Sequence, residues 1–385
     1  MSDKRKVSSC GIYIHIPFCK SRCIYCGFYS TVGTSFRQKY VDALCEEMRL
    51  RGRIRPVTVY LGGGTPSQLS ASQLIQLFDC MDEVYGSMWQ ERDGQSIEVT
   101  MECNPDDVDE SYASSVGTLP VNRVSLGVQT FDDARLQFLH RRHTATQAVE
   151  AVQRLRASGI SNISIDLMFG FPGETLDEWK NDINNALRLN VEHLSAYSLM
   201  YEEGTQLHQM LTKGQVGETD EELYIKMYDT LVKELQENGY LHYEISNFSR
   251  AGMHSRHNSL YWSDMPYVGL GASAHSYDGK TRQWNIADVE QYITSISQGK
   301  IPSEGEVIDT QTRYNDMITT RLRTCKGINL VWMKSVFGEE MCDYLLRNAQ
   351  PMMESGLVRV DEDHLHLTLE GIHVSDMVMG ELVKI

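Results

Sequence analysis

Residues 11–26 read GIYIHIPFCKSRCIYC and join a short apolar run to three closely spaced cysteines. The apolar run from Gly11 predicts a β-strand, and the cysteines follow where that strand would end. Cys19, Cys23 and Cys26 are separated by three and two residues. Three thiolates at this spacing can hold one [4Fe–4S] cluster and leave its fourth iron without a protein ligand. An open coordination position is typical of a reactive metal site rather than a structural one.

A single zinc ion is the alternative that this spacing leaves open. A structural zinc site needs four ligands, and His15 is the only candidate near the three cysteines. The chain has nine cysteines, an odd number, and three of them lie within eight residues, which in a reducing compartment indicates metal binding rather than disulfides. The others have no comparable spacing and are expected to be core or surface thiols: Cys10, Cys45, Cys80, Cys103, Cys325 and Cys342.

From the first strand to about residue 250, short apolar runs alternate with amphipathic segments. The predicted strands are Gly11 to Ile16, Val57 to Leu61, Ile97 to Glu102, Arg123 to Gly127, Ile163 to Leu167 and His193 to Leu199. The predicted helices are Phe36 to Arg51, Ser70 to Tyr85, Glu110 to Val116, Ala145 to Ala157, Thr175 to Leu189 and Thr219 to Asn238. Six β/α units predict a parallel sheet with helices on the outside. The pattern does not decide between an open sheet and one curled into a partial barrel.

The pattern changes after Gly239, and a second, smaller domain is expected at the end of the chain. Ser246 to Ser276 is predicted to be an ordered loop, and Gly299 to Glu306 a linker. Further helices are predicted near Thr310 to Arg323, Leu330 to Val336 and Glu340 to Met353, followed by a hairpin of Gly356 to Val360 with His364 to Leu367. The sequence therefore predicts an α/β domain over residues 1–298 and a small helical, winged-helix-like domain over residues 299–385.

The overall charge and hydropathy argue against several functional classes. The formal net charge of -16, from 36 Lys and Arg against 52 Asp and Glu, is unfavourable for binding nucleic acid or anionic lipid by charge alone. No apolar run approaches the ~20 residues that a membrane span needs. The charged start, MSDKRKVSSC, and the short apolar run after it do not fit a signal peptide. We therefore expect a cytoplasmic protein with no nucleic-acid partner and no membrane span.

The cysteine spacing at the end of a first strand, with Tyr25 before the third cysteine, resembles the radical S-adenosylmethionine (SAM) superfamily. The wider string from Tyr13 to Cys19, YIHIPFC, is similar to the branch that holds the oxygen-independent coproporphyrinogen III oxidases (HemN) and the haem chaperones (HemW). The resemblance runs from about Gly11 to Ser276. It implies a partial (β/α)6 barrel in which the open iron of a [4Fe–4S] cluster binds SAM. One electron from the cluster then cleaves SAM to methionine and a 5′-deoxyadenosyl radical.

The same resemblance assigns a set of residues to SAM. The glycine-rich run from Gly62 to Pro66, GGGTP, follows the second strand, where glycines let a ligand approach the backbone, and it lacks the Lys of a P-loop. Polar residues at the ends of the next strands lie where parallel α/β folds bind ligands. The implied SAM contacts are Tyr13, Tyr25, Gly63, Gly64, Thr65, Glu102, Gln129, Arg141 and Asp166. Arg141 is implied on the SAM carboxylate, with Arg142 as its alternative, and Asp166 near the ribose.

Two departures separate this sequence from the oxidases of the branch. The oxidases carry a further cysteine two positions after the third cluster ligand, where this chain has Phe28. They also have a longer segment before the first strand, whereas here twelve residues precede Tyr13. Both departures are unfavourable for coproporphyrinogen decarboxylation, and no catalytic residue is assigned.

The segment from His257 through Asn258 to Tyr261 and Trp262, HNSLYW, resembles the HNxxYW motif that is proposed to bind haem in HemW. A neutral imidazole is a haem-iron ligand, and Tyr and Trp offer flat apolar faces to a porphyrin. The alternative is a packed, hydrogen-bonded cluster that shapes one end of the barrel. His254 is an equally reachable imidazole, so the choice of iron ligand stays open.

We therefore expect a HemW-like haem chaperone that binds haem as cargo, a [4Fe–4S] cluster and SAM, and transfers haem to an acceptor protein. An electron donor for the cluster is a further expected partner. The alternative is an oxygen-independent coproporphyrinogen III oxidase of porphyrin biosynthesis, in which the radical abstracts hydrogen from a propionate side chain with loss of carbon dioxide. A radical enzyme that acts on an unrelated substrate is a third hypothesis. The sequence does not decide whether SAM is turned over.

Overall fold

The computed structural model describes residues 9–33, 35–86, 89 and 96–384. Six parallel strands stand side by side in chain order at the centre of the protein. They are β1 Ser9–Ile16, β2 Arg55–Gly63, β3 Glu98–Cys103, β4 Arg123–Gln129, β5 Asn162–Phe169 and β6 His193–Ser198. The helices between and after them are α1 Arg37–Arg51, α2 Ala71–Tyr85, α3 Glu110–Gly117, α4 Asp133–Phe138, α5 Ala145–Ala157 and α6 Leu176–Arg188. The predicted parallel sheet with outer helices is confirmed.

Successive side chains of each parallel strand face opposite sides of the sheet. In β4, Leu126 and Val128 are fully buried in the main hydrophobic core, whereas Gln129 lines an inner cavity. Tyr60 on β2 and Tyr197 on β6 line the same cavity. A flat sheet would hold these two strands about 19 Å apart, because neighbouring strands are spaced by ~4.8 Å. The sheet is therefore curled into a partial barrel.

Reciprocal caps fix the starts of three outer helices. Ser70, Thr144 and Thr175 each accept a hydrogen bond from the backbone N–H three residues further on. The Gln or Glu side chain at that third position accepts a hydrogen bond from the backbone N–H of the cap residue. These capping boxes satisfy donors that would otherwise be unpaired at the helix ends, and they set where α2, α5 and α6 begin.

The sheet continues past both edges of the six parallel strands. Beyond β6 it adds β8 Asn247–Ser249 and β7 Leu241–Glu244, which follow α7 Gln206–Thr212 and α8 Glu221–Glu237 in the chain. Beyond β1 it adds β9 Tyr267–Leu270, β10 His275–Tyr277, β11 Thr281–Asn285 and β12 Ser303–Val307. Two further helices of this region are α9 Arg256–Tyr261 and α10 Val289–Ser297.

Two sequence predictions for this region are wrong. Ser246 to Ser276, predicted as a loop, contains β8, α9, β9 and the start of β10, and β9 pairs parallel with β1. The predicted linker Gly299 to Glu306 contains most of β12, which pairs antiparallel with β11. These strands are only three to five residues long, and every residue of β12 is exposed. Apolar alternation therefore does not mark them in the sequence.

The C-terminal part has its own small sheet and hydrophobic core. Its elements are α11 Thr310–Arg321, β13 Ile328–Asn329, α12 Leu330–Phe337, α13 Glu339–Glu354, β14 Val358–Asp361, β15 His364–Leu367, α14 Leu369–His373 and α15 Ser375–Leu382. The small sheet has the strand order β13-β15-β14, and the core includes Tyr314, Ile318 and Leu345. The three predicted helices and the hairpin are confirmed, while the division between residues 298 and 299 stays a prediction.

Within the described ranges, none of the helices has the length and apolar character of a membrane span. Residues 1–8, which carry most of the charged start used against a signal peptide, lie outside the described residues. That prediction is therefore not addressed by the structure.

Glu47 on α1 is a fully buried carboxylate that joins the added strands to the barrel. It accepts hydrogen bonds from the backbone N–H of Gly271, the hydroxyl of Tyr292 and the side-chain amide of Asn285, at 2.8, 2.6 and 2.9 Å. Arg51 pairs with the same carboxylate at 2.7 Å. A buried charge is tolerated where its oxygens are satisfied in this way. Glu47 therefore ties α1 to α10, β11 and the end of β9.

We predict that Glu47→Ala lowers the free energy of unfolding by about 3–5 kcal/mol, because it leaves the partly buried guanidinium of Arg51 and several buried donors without their acceptor. Urea unfolding of the metal-free protein, followed by circular dichroism, measures the change. Glu46→Ala is the matched control, since its neighbouring side chain on α1 is 46% exposed, and we expect a change below about 0.5 kcal/mol. Equal losses in the two variants would contradict the role of Glu47.

Candidate cofactor site in the barrel

A cavity of about 400 Å³ lies inside the barrel and reaches the carboxyl ends of the parallel strands. The predicted site residues that line it are Cys19, Cys23, Tyr25, Cys26, Gly63, Gly64, Thr65, Glu102, Gln129, Arg141 and Asp166. The predicted site residues that do not line it are Tyr13, His257, Tyr261 and Trp262. The volume is within the ordinary range of small-molecule and cofactor pockets.

The cysteine loop follows β1 directly and is held by backbone hydrogen bonds. The N–H of Cys19 donates to the carbonyl of Thr31 at 3.0 Å, and the N–H of Ile24 donates to the carbonyl of Leu139 at 3.3 Å. The side chain of Ile24 is buried in a small apolar cluster with Leu139 and Phe171. The apolar residue between the second and third cysteine therefore anchors the loop against the barrel.

The three thiols face the cavity with different neighbours. The Sγ of Cys23 lies 3.6 Å from Nη1 of Arg141, and the Sγ of Cys19 lies 3.6 Å from Oγ1 of Thr65. Burial raises the pKa of Cys19 and of Cys26, so these thiols are protonated at neutral pH when no metal is bound. Metal binding at this loop must therefore release protons.

Among the residues that the structure describes, no three His, Cys, Asp or Glu side chains lie close enough together to bind one metal ion. A [4Fe–4S] cluster makes a different demand, because its thiolate ligands bind separate irons and have to face a common cavity rather than a common point. Cys19, Cys23 and Cys26 meet that demand. The guanidinium of Arg141 beside Cys23 also supplies positive charge next to the thiolates. The donor set fits an iron–sulfur cluster.

Gly63 and Gly64 place the end of β2 against the chain that leads into the cysteine loop. The N–H of Gly64 donates to the carbonyl of Ile16 at 2.9 Å, and a Cβ on Gly64 would lie 2.8 Å from the carbonyl carbon of Pro17. Gly63 has a φ of +111°, and a Cβ there would lie 2.6 Å from the ring of His15. The sequence interpretation related these glycines to ligand approach, whereas the structure requires them for the close approach of two chain segments.

Glu102 and Asp166 bring two partly buried carboxyl groups into the cavity. Glu102 accepts hydrogen bonds from the hydroxyl of Tyr60 at 2.7 Å and from the N–H of Gly63 at 3.2 Å. Asp166 accepts a hydrogen bond from the hydroxyl of Ser125 at 3.2 Å. Burial raises the pKa of Glu102 to about 7 and raises the pKa of Asp166 as well. Glu102 is therefore about half protonated at neutral pH, and a cationic ligand nearby would favour its charged form.

Arg141 points into the cavity and Arg142 does not. Nη2 of Arg141 donates to Oδ1 of Asn104 at 2.7 Å and to the carbonyl of Gly127 at 2.6 Å. Arg142 pairs with Asp106, at 2.6 Å. The geometry therefore agrees with the motif match, which favours Arg141 as the residue on the site side.

Gln129 and Tyr13 differ in their relation to the cavity. Gln129 has a φ of +70° at a β-bulge after Gly127, and it lines the cavity. Tyr13 lies behind the cavity wall, where its ring stacks on Tyr60 with the ring centres 6.1 Å apart and its hydroxyl lies 3.2 Å from Nδ1 of His15. A contact between Tyr13 and SAM stays a prediction, and in this structure Tyr13 supports a ring that does line the cavity.

Helix α9 carries the HNxxYW segment and lies at the amino-terminal end of the barrel strands. The backbone N–H groups of Arg256 and His257 donate to the buried carboxylate of Glu98, at the start of β3, both at 2.8 Å. A carboxylate at this end of a helix is favoured by the helix dipole. Asn258 lines the barrel cavity, so α9 forms part of the cavity floor.

His257 is 1% exposed, and both of its ring nitrogens are engaged. Nδ1 lies 2.8 Å from Oγ1 of Thr58, and Nε2 lies 2.9 Å from the hydroxyl of Tyr261. Burial lowers the pKa of His257 to about 3, so the ring is neutral. Binding to haem iron would require one of these hydrogen bonds to break, whereas His254 is exposed. The haem assignments of His257, Tyr261 and Trp262 stay predictions.

Arg123, at the first position of β4, lines the cavity but is not among the residues predicted from the sequence. Its side chain is 1% exposed and makes no hydrogen bond or ion pair with any described residue. A signal was available, because Arg123, Ser125 and Gln129 alternate with apolar residues at a period of two. That period places all three on one face of the strand.

Comparison with known proteins places the chain in a family. The family model described as the radical SAM superfamily matches residues 13–186, and the model described as the HemN C-terminal domain matches residues 308–374. The solved structure of coproporphyrinogen III oxidase (HemN) from Escherichia coli shares the fold, with a TM-score of 0.82 at 20% identity over 99% of this chain and 92% of that chain. The chain therefore has the partial (β/α)6 barrel of the radical SAM superfamily and belongs to that superfamily.

Two curated relatives narrow the assignment. The protein named heme chaperone HemW in Bacillus subtilis (strain 168) is 34% identical over 374 residues, which cover 96% of this chain and 97% of the relative. The protein of the same name in Lactococcus lactis subsp. lactis (strain IL1403) is 32% identical and covers 96% of each chain. Within the superfamily, the chain belongs to the HemN/HemW branch and to the family of the HemW proteins.

We predict that the titration of Glu102 lowers the free energy of unfolding of the metal-free protein as the pH rises from about 4.5 to about 7. The unfolded chain releases the Glu102 proton near pH 4.5, while the folded chain keeps it until about pH 7, so the unfolded state binds fewer protons between these limits. The free energy of unfolding should therefore fall by roughly 3 kcal/mol across this window, relative to Glu102→Gln, which does not titrate there. Urea unfolding of both proteins across the window measures the difference. Parallel pH profiles would rule out the raised pKa.

Proposed function

We propose that this chain is a haem chaperone of the HemW type. It binds haem as cargo, holds a [4Fe–4S] cluster with SAM beside it, and transfers haem to an acceptor protein. The observation that carries the proposal is the end-to-end similarity to relatives named as haem chaperones, since 96% of this chain aligns with 97% of the Bacillus subtilis protein. The barrel and the C-terminal part are both included in that alignment.

The barrel cavity supports the cofactor part of the proposal. Cys19, Cys23 and Cys26 would ligate the cluster, and Arg141 would bind the SAM carboxylate and balance the thiolate charge. Asp166 would bind on the ribose side of SAM. When bound, the cluster and SAM would supply one-electron chemistry, and the residues of the chain would bind and orient them within the barrel cavity.

The cysteines also support the proposed location. All nine are unpaired. Unpaired thiols fit a reducing compartment, which favours the cytoplasm. Haem or porphyrin, an acceptor protein and an electron donor for the cluster are the partners that this function requires.

The oxidase alternative is disfavoured by the residue at position 28. Phe28 stands where the oxidases of the branch carry a further cysteine, and its side chain is 73% exposed at the edge of the cavity. A phenyl ring can neither ligate a metal nor donate a hydrogen atom as a thiol can. The shared fold with HemN does not favour the oxidase, because chaperones and oxidases of the branch share the barrel.

We predict that Cys23→Ala abolishes cluster assembly, because the cluster then loses one of its three protein ligands. After anaerobic reconstitution with iron and sulfide, the unmodified protein should contain about four irons per chain and the variant close to none. Cys325→Ala is the matched control, since Cys325 is exposed and does not line the cavity. A full iron content in Cys23→Ala would overturn the cluster assignment.

The decisive test of function is an anaerobic assay with two arms. In the first, we expect the reconstituted protein to bind haem stoichiometrically and to transfer it to the apo form of a haem protein, followed by visible absorbance. Loss of haem binding in His257→Ala would support the HNxxYW segment as part of the haem site, and unchanged affinity would contradict that assignment.

The second arm supplies coproporphyrinogen III, SAM and a low-potential reductant, and reads protoporphyrinogen by chromatography. We expect no product, although SAM binds. Multiple turnover would establish the oxidase instead, and Phe28 would then be a tolerated replacement of the extra cysteine.

A further inference from the structure

A second cavity, of about 270 Å³, lies where α9 ends, between the added strands β9 to β11 and the helices α11 and α12. Its aromatic walls are Tyr261, Trp262, Tyr267, Tyr277, Trp332 and Phe337, and we call it the aromatic groove. The groove is smaller than most pockets that enclose a whole cofactor. It is therefore suited to one edge of a flat ligand rather than to a complete macrocycle.

Two of the three arginines in the groove are neutralised by acids of the groove itself. Arg282 pairs with Asp316 at 2.5 Å. Arg313 pairs with Asp264. The other oxygen of Asp264 accepts a hydrogen bond from the hydroxyl of Tyr277 at 2.6 Å. Both acids are therefore already engaged by another arginine of the groove.

Arg321 is the third arginine, and its positive charge is not paired. It makes no hydrogen bond or ion pair between its guanidinium and any described residue, and its guanidinium carbon lies 4.1 Å from the centre of the Trp332 ring. The stacking holds the guanidinium plane in place while it leaves the N–H groups free. Burial lowers the pKa of Arg321, because the charge is partly removed from water, and the nearby carboxylate of Asp264 offsets this effect only in part.

Trp262 adds an unsatisfied donor to the same groove. Its Nε1 is buried and has no hydrogen-bond partner among the described residues. A buried N–H without an acceptor is costly, and buried indoles usually find one. The guanidinium of Arg321 and the indole N–H of Trp262 can both donate hydrogen bonds to a carboxylate. The aromatic walls around them suit a flat ring system to which that carboxylate is attached.

We propose that the aromatic groove binds the propionate edge of the porphyrin cargo, with Arg321 and the Nε1 of Trp262 as donors to a propionate carboxylate. The inference rests on the proposed function, because it takes the cargo to be haem. It gives the HNxxYW segment a role that its structure supports directly. Trp262 at the end of the segment faces the groove, whereas His257 is buried and hydrogen-bonded on both nitrogens.

The experiment is an anaerobic titration of the full-length, cluster-reconstituted protein with haem, with haem dimethyl ester and with iron-free protoporphyrin. We expect Arg321→Gln to weaken haem binding by about 10- to 100-fold, because it removes a charge-assisted hydrogen bond. Arg323→Gln is the matched control, since Arg323 lies two residues further along the chain but pairs with Asp376, at 3.6 Å, and does not line the groove. Trp262→Phe keeps the ring and removes the donor, so it should weaken binding by roughly 3- to 10-fold.

The other two ligands distinguish a contact to the propionate carboxylate from ligation of the iron. Haem dimethyl ester keeps the iron but has no free carboxylate, and iron-free protoporphyrin keeps its carboxylates but has no iron. The unmodified protein should bind the dimethyl ester more weakly than haem, and Arg321→Gln should lose most of that difference. The effect of Arg321→Gln should persist with iron-free protoporphyrin, because that ligand keeps its propionates.

The outcomes distinguish this inference from the function on which it rests. If the unmodified protein binds no haem, the proposed function fails and the inference fails with it. If the unmodified protein binds haem and Arg321→Gln binds it as tightly as Arg323→Gln, the groove assignment is overturned and the chaperone function stands. Equal affinity of the unmodified protein for haem and its ester would also overturn the groove assignment. Circular dichroism and thermal unfolding of Arg321→Gln should match the unmodified protein, so that the loss is not one of folding.

Discussion

The contact between the ends of β1 and β2 is the constraint on which the cofactor site depends. Gly64 donates a hydrogen bond to the carbonyl of Ile16, and a Cβ at Gly64 would collide with the backbone at Pro17. Because the two chain segments touch through backbone atoms, the positions of Cys19 and Thr65 are fixed relative to one another, at 3.6 Å between Sγ and Oγ1. A slip in strand register would break this contact. The same glycines that shape the turn thus align the metal-binding loop with the second strand.

A polar barrel interior also requires a closed floor. The inner faces of the strands carry Glu102, Asp166 and Arg123, and water entering from the amino-terminal end would weaken every interaction among them. Helix α9 lies at that end, held at its first turn by Glu98 and through His257 to Thr58. The motif histidine is therefore part of the wall, and its neutral, buried state follows from that position.

The sequence predicted the repeated elements well because burial leaves a strong pattern in them. The prediction for all six parallel strands and the major helices agrees with the structure within a few residues. The cysteines follow β1 as expected, whereas Arg141 lies after α4 and Asp166 lies within β5 rather than at strand ends. The added strands β9 to β12 were missed because they are short and partly exposed, and pairing with distant segments determines them rather than local pattern. Arg123 was missed for a different reason. An arginine at the start of an apolar strand looks like an exposed flanking residue until the curl of the sheet turns it inward.

Helix α9 lies between the barrel cavity and the aromatic groove, and residues of the HNxxYW segment line both of them. Asn258 faces the barrel cavity, while Tyr261 and Trp262 face the aromatic groove. The motif residues therefore line two separate cavities although they follow one another within a single short helix and its C-cap. A porphyrin held in the groove would therefore lie outside the barrel, separated from the cluster and SAM by a single helix. Changes in the groove can then alter cargo binding without touching a cofactor ligand, which makes the two activities of such a protein separable by mutation.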